Sequence, residues 1–295
     1  MKAFEIKNLS KTYPEFTLGP LNLDLEQGTV LGYIGPNGSG KSTTLHCMVG
    51  LVKANGGEVN IFGRQNHPNK PAWKFDIGYV GDIHVFYENW SAEKNLKFLS
   101  QFYPQWSDKL AENLSKRFDI PLNKKAKELS SGNRVKLSLI SALAHQPRLL
   151  LLDEPTAGLD PVVRTEVLDT LFEILEDGEH SIFYSTHILS DIGRLADELA
   201  FLNNGQVIKR TTVDDLTEKW RKISFRLFQT NGKIDDVINH QVEGENHHVI
   251  SSDFEKTLFH INRLGAKNII ENRMTVDEIA VEILRGAKNV DSAQS

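Results

Sequence analysis

The sequence is short of several features that mark whole protein classes. It holds a single cysteine, Cys47, in 295 residues. That excludes an internal disulfide and a cysteine-built zinc site. Cys47 itself reads as a small packed residue on a helix. No apolar run is long enough to cross a bilayer. There is no basic excess: 34 Lys and Arg stand against 39 Asp and Glu. A general nucleic-acid binder needs a basic face to displace counterions, so no nucleic-acid partner is expected. No internal repeat or low-complexity segment occurs. The start, Met1 to Ile6, alternates polar and apolar like a strand and lacks the form of a signal peptide. The chain is therefore expected in the cytosol unless a partner holds it at a membrane. His240, His247, His248 and His260 fall late in the chain, but their spacing fits no zinc pattern.

What is present centres on Gly35-Pro36-Asn37-Gly38-Ser39-Gly40-Lys41-Ser42, running on into Thr43. It fits the G-x-x-x-x-G-K-[ST] phosphate-loop pattern at every fixed position. Thr29 to Ile34 reads as a buried strand before it, and Lys41 to Val49 as a helix after it. A strand, a glycine-rich turn and a helix N-terminus together make an anion site. Lys41 is placed to reach the β- and γ-phosphates of a nucleotide, and the Ser42 hydroxyl to sit on Mg²⁺. Tyr13, just ahead in a β-rich segment, is either a stacking surface for a flat base or a half-buried strand tyrosine.

The rest of the chain reads as α/β. Ala3 to Leu9 looks like an edge strand, with further strands at Leu21–Leu25, Glu58–Phe62 and Ile77–Val80. From Ser91 to about Leu129 the pattern turns helical. Ser91 caps a helix whose face carries Leu96, Leu99, Phe102 and Tyr103, and Pro104 ends it. Asp108 to Phe118 forms another. The aromatics Trp90, Phe98, Phe102, Tyr103 and Trp106 read as the core of this insertion. Ser130 to Asn133 opens a helix with Val135, Leu139 and Leu143 inward. Leu149 to Leu152 is an all-apolar run, as in a strand buried on both faces. A helix with Leu168, Leu171, Phe172 and Leu175 on one face follows, then a strand over Ser181–Ser185 and a hairpin over Leu199–Lys209. Thr212 to Trp220 suits a connecting helix. Beyond it lies a small α+β unit: strands near Ile223–Leu227, His247–Ser251 and Lys267–Glu271, a helix from Phe254, and a last helix opened by a capping box at Thr275–Glu278. The tail after Arg285 is expected to fray.

Asp153 and Glu154 end the all-apolar strand, where ligands bind in open parallel sheets. The first carboxylate suits Mg²⁺; the second suits an attacking water, to orient it and take its proton. His187, at the end of a neighbouring strand, can donate to a γ-phosphate.

Taken in order, these motifs resemble those of the ATP-binding subunits of ABC transporters, over about Ala3 to Arg210. The resemblance rests on Gly35–Thr43, Leu150–Thr156, the Ala157-Gly158-Leu159-Asp160 loop, Ser185-Thr186-His187, and Leu129-Ser130-Ser131-Gly132-Asn133. The last is similar to the LSGGQ signature, with Ser131 and Asn133 in place of Gly and Gln. The resemblance implies a P-loop ATPase domain at 1–210 with a helical subdomain at about 91–145; beyond it the pattern divides into a linker helix at 211–222 and an accessory α+β domain at 223–295. It implies adenine stacking on Tyr13, ATP and Mg²⁺ as ligands, and hydrolysis by Lys41, Glu154 and His187. It implies a head-to-tail dimer with a second copy or a paralogous ATPase. In that dimer Ser130, Ser131, Gly132, Asn133 and Asp160 would face the partner's nucleotide, since a two-fold pair can aim two helix N-termini at one phosphate. It further implies integral-membrane permease subunits, an exporter-type role and a place on the inner face of the cell membrane. Asp82 stands where the family has a glutamine; it is either a further Mg²⁺ ligand or a solvent-facing loop residue. A soluble ABC-type ATPase acting on a non-membrane target is the alternative, but the coiled-coil insertions, tandem cassettes or basic arms it would need are not seen. A silent binding subunit is disfavoured by the retention of Lys41 and Glu154.

Overall fold

A computed structural model describes residues 1–81, 86–176, 178–193, 195–228, 234 and 237–292, with side chains as far as 286. The chain opens with β1 (Lys2–Tyr13), β2 (Phe16–Glu26), β3 (Val30–Ile34), α1 (Lys41–Met48), β4 (Gly56–Ile61), β5 (Arg64–Gln65) and β6 (Ile77–Val80). The helices α2 (Ala92–Ser100), α3 (Asp108–Arg117) and α4 (Ser131–Leu143) follow. Then come β7 (Leu149–Asp153), α5 (Pro161–Leu175), β8 (Ser181–Thr186), α6 (Leu189–Ile192), β9 (Glu198–Asn203) and β10 (Gln206–Thr212). The C-terminal part holds α7 (Val213–Lys219), β11 (Arg221–Arg226), β12 (Val237–Glu243), β13 (Asn246–Ser251), α8 (Phe254–Arg263), β14 (Lys267–Arg273) and α9 (Val276–Ser292).

The central sheet has the order β10-β9-β3-β8-β7-β6, parallel except for the β9–β10 hairpin. Its inner strands are buried on both faces, which explains the all-apolar run Leu149–Leu152. Side chains alternate between two cores, as the two-residue period of a strand requires. Leu149 and Leu151 join Leu31, Tyr33 and Phe183 against α1 and the antiparallel sheet β2-β1-β4-β5. Leu150 and Leu152 join Ile34, Ile182 and Tyr184 against α4 and α5. A third core, with Ile223, Phe225, Val249 and Ile261, lies in the C-terminal sheet β12-β13-β11-β14.

Several expectations need correction. The first strand is not an edge, because β2 and β4 both pair with β1. The helix from Ser91 ends at Ser100, before Pro104. The chain turns there and lays Tyr103 on His145, with ring centroids 4.0 Å apart. Of the aromatics expected in the core of the helical insertion, Trp106 packs against it, while Trp90, Phe98 and Phe102 do not join it. Leu96, Ala111, Leu114, Phe118 and Leu129 form that core. Phe102 is exposed, while Tyr87, Trp90 and Phe98 pack on one another at the surface. Phe172 is also exposed, on the outer flank of α5. The last helix continues past Arg285 to Ser292. Its start is fixed by the expected capping box: Thr275 N–H donates to Glu278 Oε2 (3.0 Å) and Glu278 N–H to Thr275 Oγ1 (3.3 Å). The strand β12 was not anticipated; it is exposed along its length and lacks a buried face to betray it.

The last helix also leaves its own unit. Met274, Val276, Ile279 and Ala280 are buried in the same core as Ile192 of α6, Leu195 after it, and Leu199 and Phe201 of the central sheet, together with Leu216 and Trp220. The C-terminal segment thus completes one face of the main body. Ile279→Ala is expected to cost about 2–5 kcal/mol through lost burial and the cavity left behind. Chemical denaturation followed by intrinsic fluorescence measures it; a cost under about 1 kcal/mol would show that α9 is not part of that core.

Candidate active site

The pairing of β3 with β8 and of β8 with β7 brings three parallel strand ends side by side. Each end leads into a functional loop, which is where ligands sit in such sheets. After β3 the chain turns through residues 35–40 into α1, and Gly40 serves as the helix N-cap with φ 110°. A side chain there would be strained, and its Cβ would lie 2.7 Å from Leu18 and 2.9 Å from Phe16. The turn is equally close at Gly35, where a Cβ would meet Leu202 O and Ser39 Oγ at 2.5 Å. The N–H groups of Lys41, Ser42 and Thr43 form the first turn of α1, where a helix leaves donors without internal partners.

Lys41 is only 6% exposed, and its ammonium is held from three sides. It donates to Gly35 O (2.8 Å) and Pro36 O (3.3 Å) and pairs with Glu154 Oε1 at 3.2 Å. Glu154 has φ 51°, a left-handed conformation that is costly for a residue with a side chain. It is pinned by its own amide, which donates to Ser185 O (3.0 Å). Its other carboxylate oxygen receives the His187 amide (3.2 Å) and lies 2.9 Å from His187 Nδ1. Asp153 is fully buried, and Ser185 Oγ donates to it at 2.5 Å. A pocket of about 1020 Å³ opens over the loop, bordered by Tyr13, Phe16, Asn37, Lys41, Ser42, Thr43 and Glu154.

The fold therefore gathers Tyr13, Asn37, Gly38, Gly40, Lys41, Ser42, Thr43 and Glu154 around one pocket. Tyr13 keeps part of its ring open, with Lys11 Nζ 5.3 Å from the ring centroid. Ser39 lies buried beneath the loop, and Gly35 and Pro36 supply the carbonyls that hold Lys41. Ser130, Ser131, Gly132, Asn133 and Asp160 do not border this pocket. Ser130 caps α4, accepting from Asn133 N–H at 3.2 Å. Gly132 packs on Val163, and Asp160 caps α5 by accepting from Val162 and Val163 N–H. Asp82 lies outside the described residues. The sequence reading missed Phe16, which closes the pocket against Gly40, and Ser185, which holds Asp153. A signal for Ser185 was available: it is the polar residue facing the acidic strand end in a neighbouring strand.

The donors present fit Mg²⁺. Ser42 on the pocket wall and Asp153 at the strand end offer hard oxygens. Among the described residues no group of three or more His, Cys, Asp or Glu forms a metal cage. A cation here would share its shell with phosphate oxygens and water, the usual manner of Mg²⁺ in phosphate sites. Chemically, the arrangement offers a fixed cation beside the loop, a carboxylate in contact with it, and a histidine bonded to that carboxylate.

Comparisons with known proteins show what the chain as a whole is similar to. The ABC transporter family matches residues 18–157. The chain is 33% identical over 220 residues to the ABC transporter ATP-binding protein YtrB of Bacillus subtilis, covering 74% of this chain and 75% of that one. It is 29% identical over 282 residues to the bacitracin transport ATP-binding protein BcrA of Bacillus licheniformis, covering 93% and 91%. Among solved structures, a dimeric post-hydrolysis state of the ATP-binding cassette MJ0796 bound to ADP and Pi has a TM-score of 0.65 at 25% identity, covering 71% of this chain and 98% of that one.

Lys41→Ala removes the one ammonium held in the loop and leaves Glu154 partly buried without its cation. Phosphate release from ATP is expected to fall by about 10²–10³-fold. Near-normal turnover would mean that this loop is not the site.

Proposed function

The chain belongs to the ATP-binding subunits of ABC transporters, and from that premise we propose that it works as an exporter-type ATPase whose Glu154 is the general base, restrained by Lys41 and oriented by His187. That it is an ATPase subunit of a transporter follows from its family; the residue roles are our reading. The observation that carries them is the Lys41–Glu154–His187 chain of contacts at 3.2 and 2.9 Å. A phosphate in the loop competes with Glu154 for Lys41. Once Lys41 turns to phosphate, Glu154 loses its cation and becomes a better acceptor for the proton of an attacking water. His187 keeps the carboxylate aimed by its amide and ring. Ser42 and Asp153 would hold Mg²⁺, which when bound neutralises phosphate charge. Tyr13 would stack on adenine beside the loop.

The signature residues Ser130–Asn133 and the Asp160 loop lie off the pocket of their own chain, which supports a reading in which they serve a partner's nucleotide. Head-to-tail pairing of two copies is the simplest such arrangement. Among the described residues no helix is long and apolar enough to cross a membrane. A transport role then needs separate permease subunits and places this chain at the inner membrane face. The groove of about 490 Å³ bordered by Leu51, Tyr79, Phe86, Leu99 and Tyr103 is an apolar seat for a helix of such a subunit. Residues 1–210 would form the ATPase domain and 211–222 the connecting helix, with 223–295 an accessory unit whose last helix returns to the ATPase core.

Glu154→Gln keeps the shape of the side chain and removes its basicity. The variant is expected to bind ATP, to hydrolyse it at under about 1% of the normal rate, and to double its mass in light scattering when ATP and Mg²⁺ are added. A variant that stays monomeric at saturating ATP would contradict self-pairing around nucleotide.

A further inference from the structure

Behind the Glu154–His187 pair lies a second polar cluster that the roles above do not use. Its centre is Asp191, in α6, 1% exposed. Three donors converge on this one carboxylate. Thr156 Oγ1 donates to Oδ2 at 2.5 Å, Tyr184 OH to Oδ2 at 3.3 Å, and Arg164 Nε to Oδ1 at 2.5 Å. Arg164 also bonds the neighbouring Ser190 Oγ. Burial first, and then the Asp191 carboxylate, hold the Tyr184 phenol well above its ordinary range, so it stays a donor.

Asp191 and two of its partners stand at informative places in the chain. Thr156 comes two residues after Glu154. Arg164 lies on α5, four residues after Asp160, whose side chain caps that helix. Asp191 itself comes four residues after His187, and the short turn between them is fixed by Ile188 N–H on Thr186 Oγ1 at 2.8 Å. One buried carboxylate thus ties the segment after the base, the helix after the Asp160 loop and the segment after the histidine. The C-terminal helix lies beside this cluster: Val276 lies against Gly193, and burial first, then the Asp191 charge, push the carboxyl of Asp277 in the first turn of α9 above the usual carboxylate range, with Arg164 opposing.

A buried charged carboxylate is costly unless every lone pair is met. Packing alone does not require one here, since apolar side chains of the same volume would hold these elements together at less cost. What a shared carboxylate adds is direction: it fixes the three segments in one register, through bonds that fail on small displacements. Glu154 sits in a strained left-handed conformation, and such residues persist only where the surroundings over-determine them.

We propose that Asp191 is a positioning residue for hydrolysis, holding Thr156, Arg164 and α6 in the single arrangement that keeps His187 within hydrogen-bond reach of the Glu154 carboxylate. It touches no reacting atom and acts only through that pair. The proposal rests on the reading of Glu154 as general base. It also gives the accessory unit a route to the site, because α9 packs beside α6, which carries the positioning carboxylate.

The test uses the full chain, with steady-state ATPase assays and the affinity for a fluorescent ATP analogue measured in parallel. Asp191→Asn is expected to lower kcat by at least about tenfold while the analogue Kd stays within about twofold. Combined with His187→Ala, it is expected to lower kcat no further than the worse single variant, within about twofold, since both act on one arrangement. If Asp191→Asn does not fold, Thr156→Val takes its place, with Thr156→Ser restoring the hydroxyl and the rate. The proposal is overturned by a kcat within about twofold of normal, by a parallel loss of nucleotide affinity, or by independent, multiplying losses in the double variant. For Thr156, overturning results are a Val variant as active as the Ser variant, or a Ser variant that stays as slow as Val. Glu154→Gln run beside these separates the two levels: if it retains turnover, the reading of the site has failed, and if it is inactive while Asp191→Asn is normal, only the positioning role has failed.

Discussion

A lysine ammonium kept almost out of water has to be met by oxygens, and the site is built around that requirement. Lys41 has three: two loop carbonyls and the Glu154 carboxylate. The carbonyls are available because the chain between β3 and α1 turns tightly enough to point them inward, which Gly35 and Gly40 permit. The carboxylate is available because β7 ends beside β3, separated by β8 alone. Losing either partner would leave a buried charge, a larger penalty than the pair is worth intact. Phosphate is a stronger partner for the same ammonium than a single carboxylate, and helix N-terminal amides add to its hold. On the proposed reading the arrangement is poised to exchange one anion for another, and that exchange would change what Glu154 can do.

The two cores explain how such a site stays rigid. Leu149–Leu152 is covered on both faces, so the end of β7 cannot shift without disturbing both. On one side stand α1 and the antiparallel sheet, which carries Tyr13 and Phe16 to the pocket. On the other stand α4 and α5, together with the returning α9. The helical insertion is tied to the α5 side by ion pairs: Lys136 of α4 meets Glu166, and Arg117 of α3 meets Glu173. Lys136 also reaches Phe118 O at 3.3 Å, so a mostly buried cation joins three helical segments. The helix that starts at Ser130 is thus tied to both α5 and α3.

Much of this was legible in the sequence where physics leaves few choices. A phosphate turn needs glycines and a lysine at fixed spacing, and Gly35–Ser42 displays them. A strand buried on both faces has to be apolar throughout, so Leu149–Leu152 announced its place. Capping residues at Ser91 and Thr275 marked helix starts correctly, because orphan amides need a side-chain acceptor. What failed was information about what covers what. The α9 sequence displays an apolar face, but nothing in its periodicity says that the central body receives it. Trp90, Phe98 and Phe102 have the spacing of core residues yet pack on one another at the surface. Asp191 looks like an ordinary polar residue on a short helix; only the fold brings Thr156, Tyr184 and Arg164 to it. Ala3–Leu9 alternates like an edge strand, and it is the return of β4 that makes it interior.

The central claim is that Lys41 leaves Glu154 when phosphate arrives while His187 does not. A crystal structure with a non-hydrolysable ATP analogue and Mg²⁺ tests it directly. The account predicts Lys41 Nζ on phosphate oxygens and more than about 4 Å from the Glu154 carboxylate, beyond ion-pair reach, with the His187–Glu154 contact kept near its present 2.9 Å. A Lys41–Glu154 pair that persists at about its present 3.2 Å with nucleotide bound would contradict it.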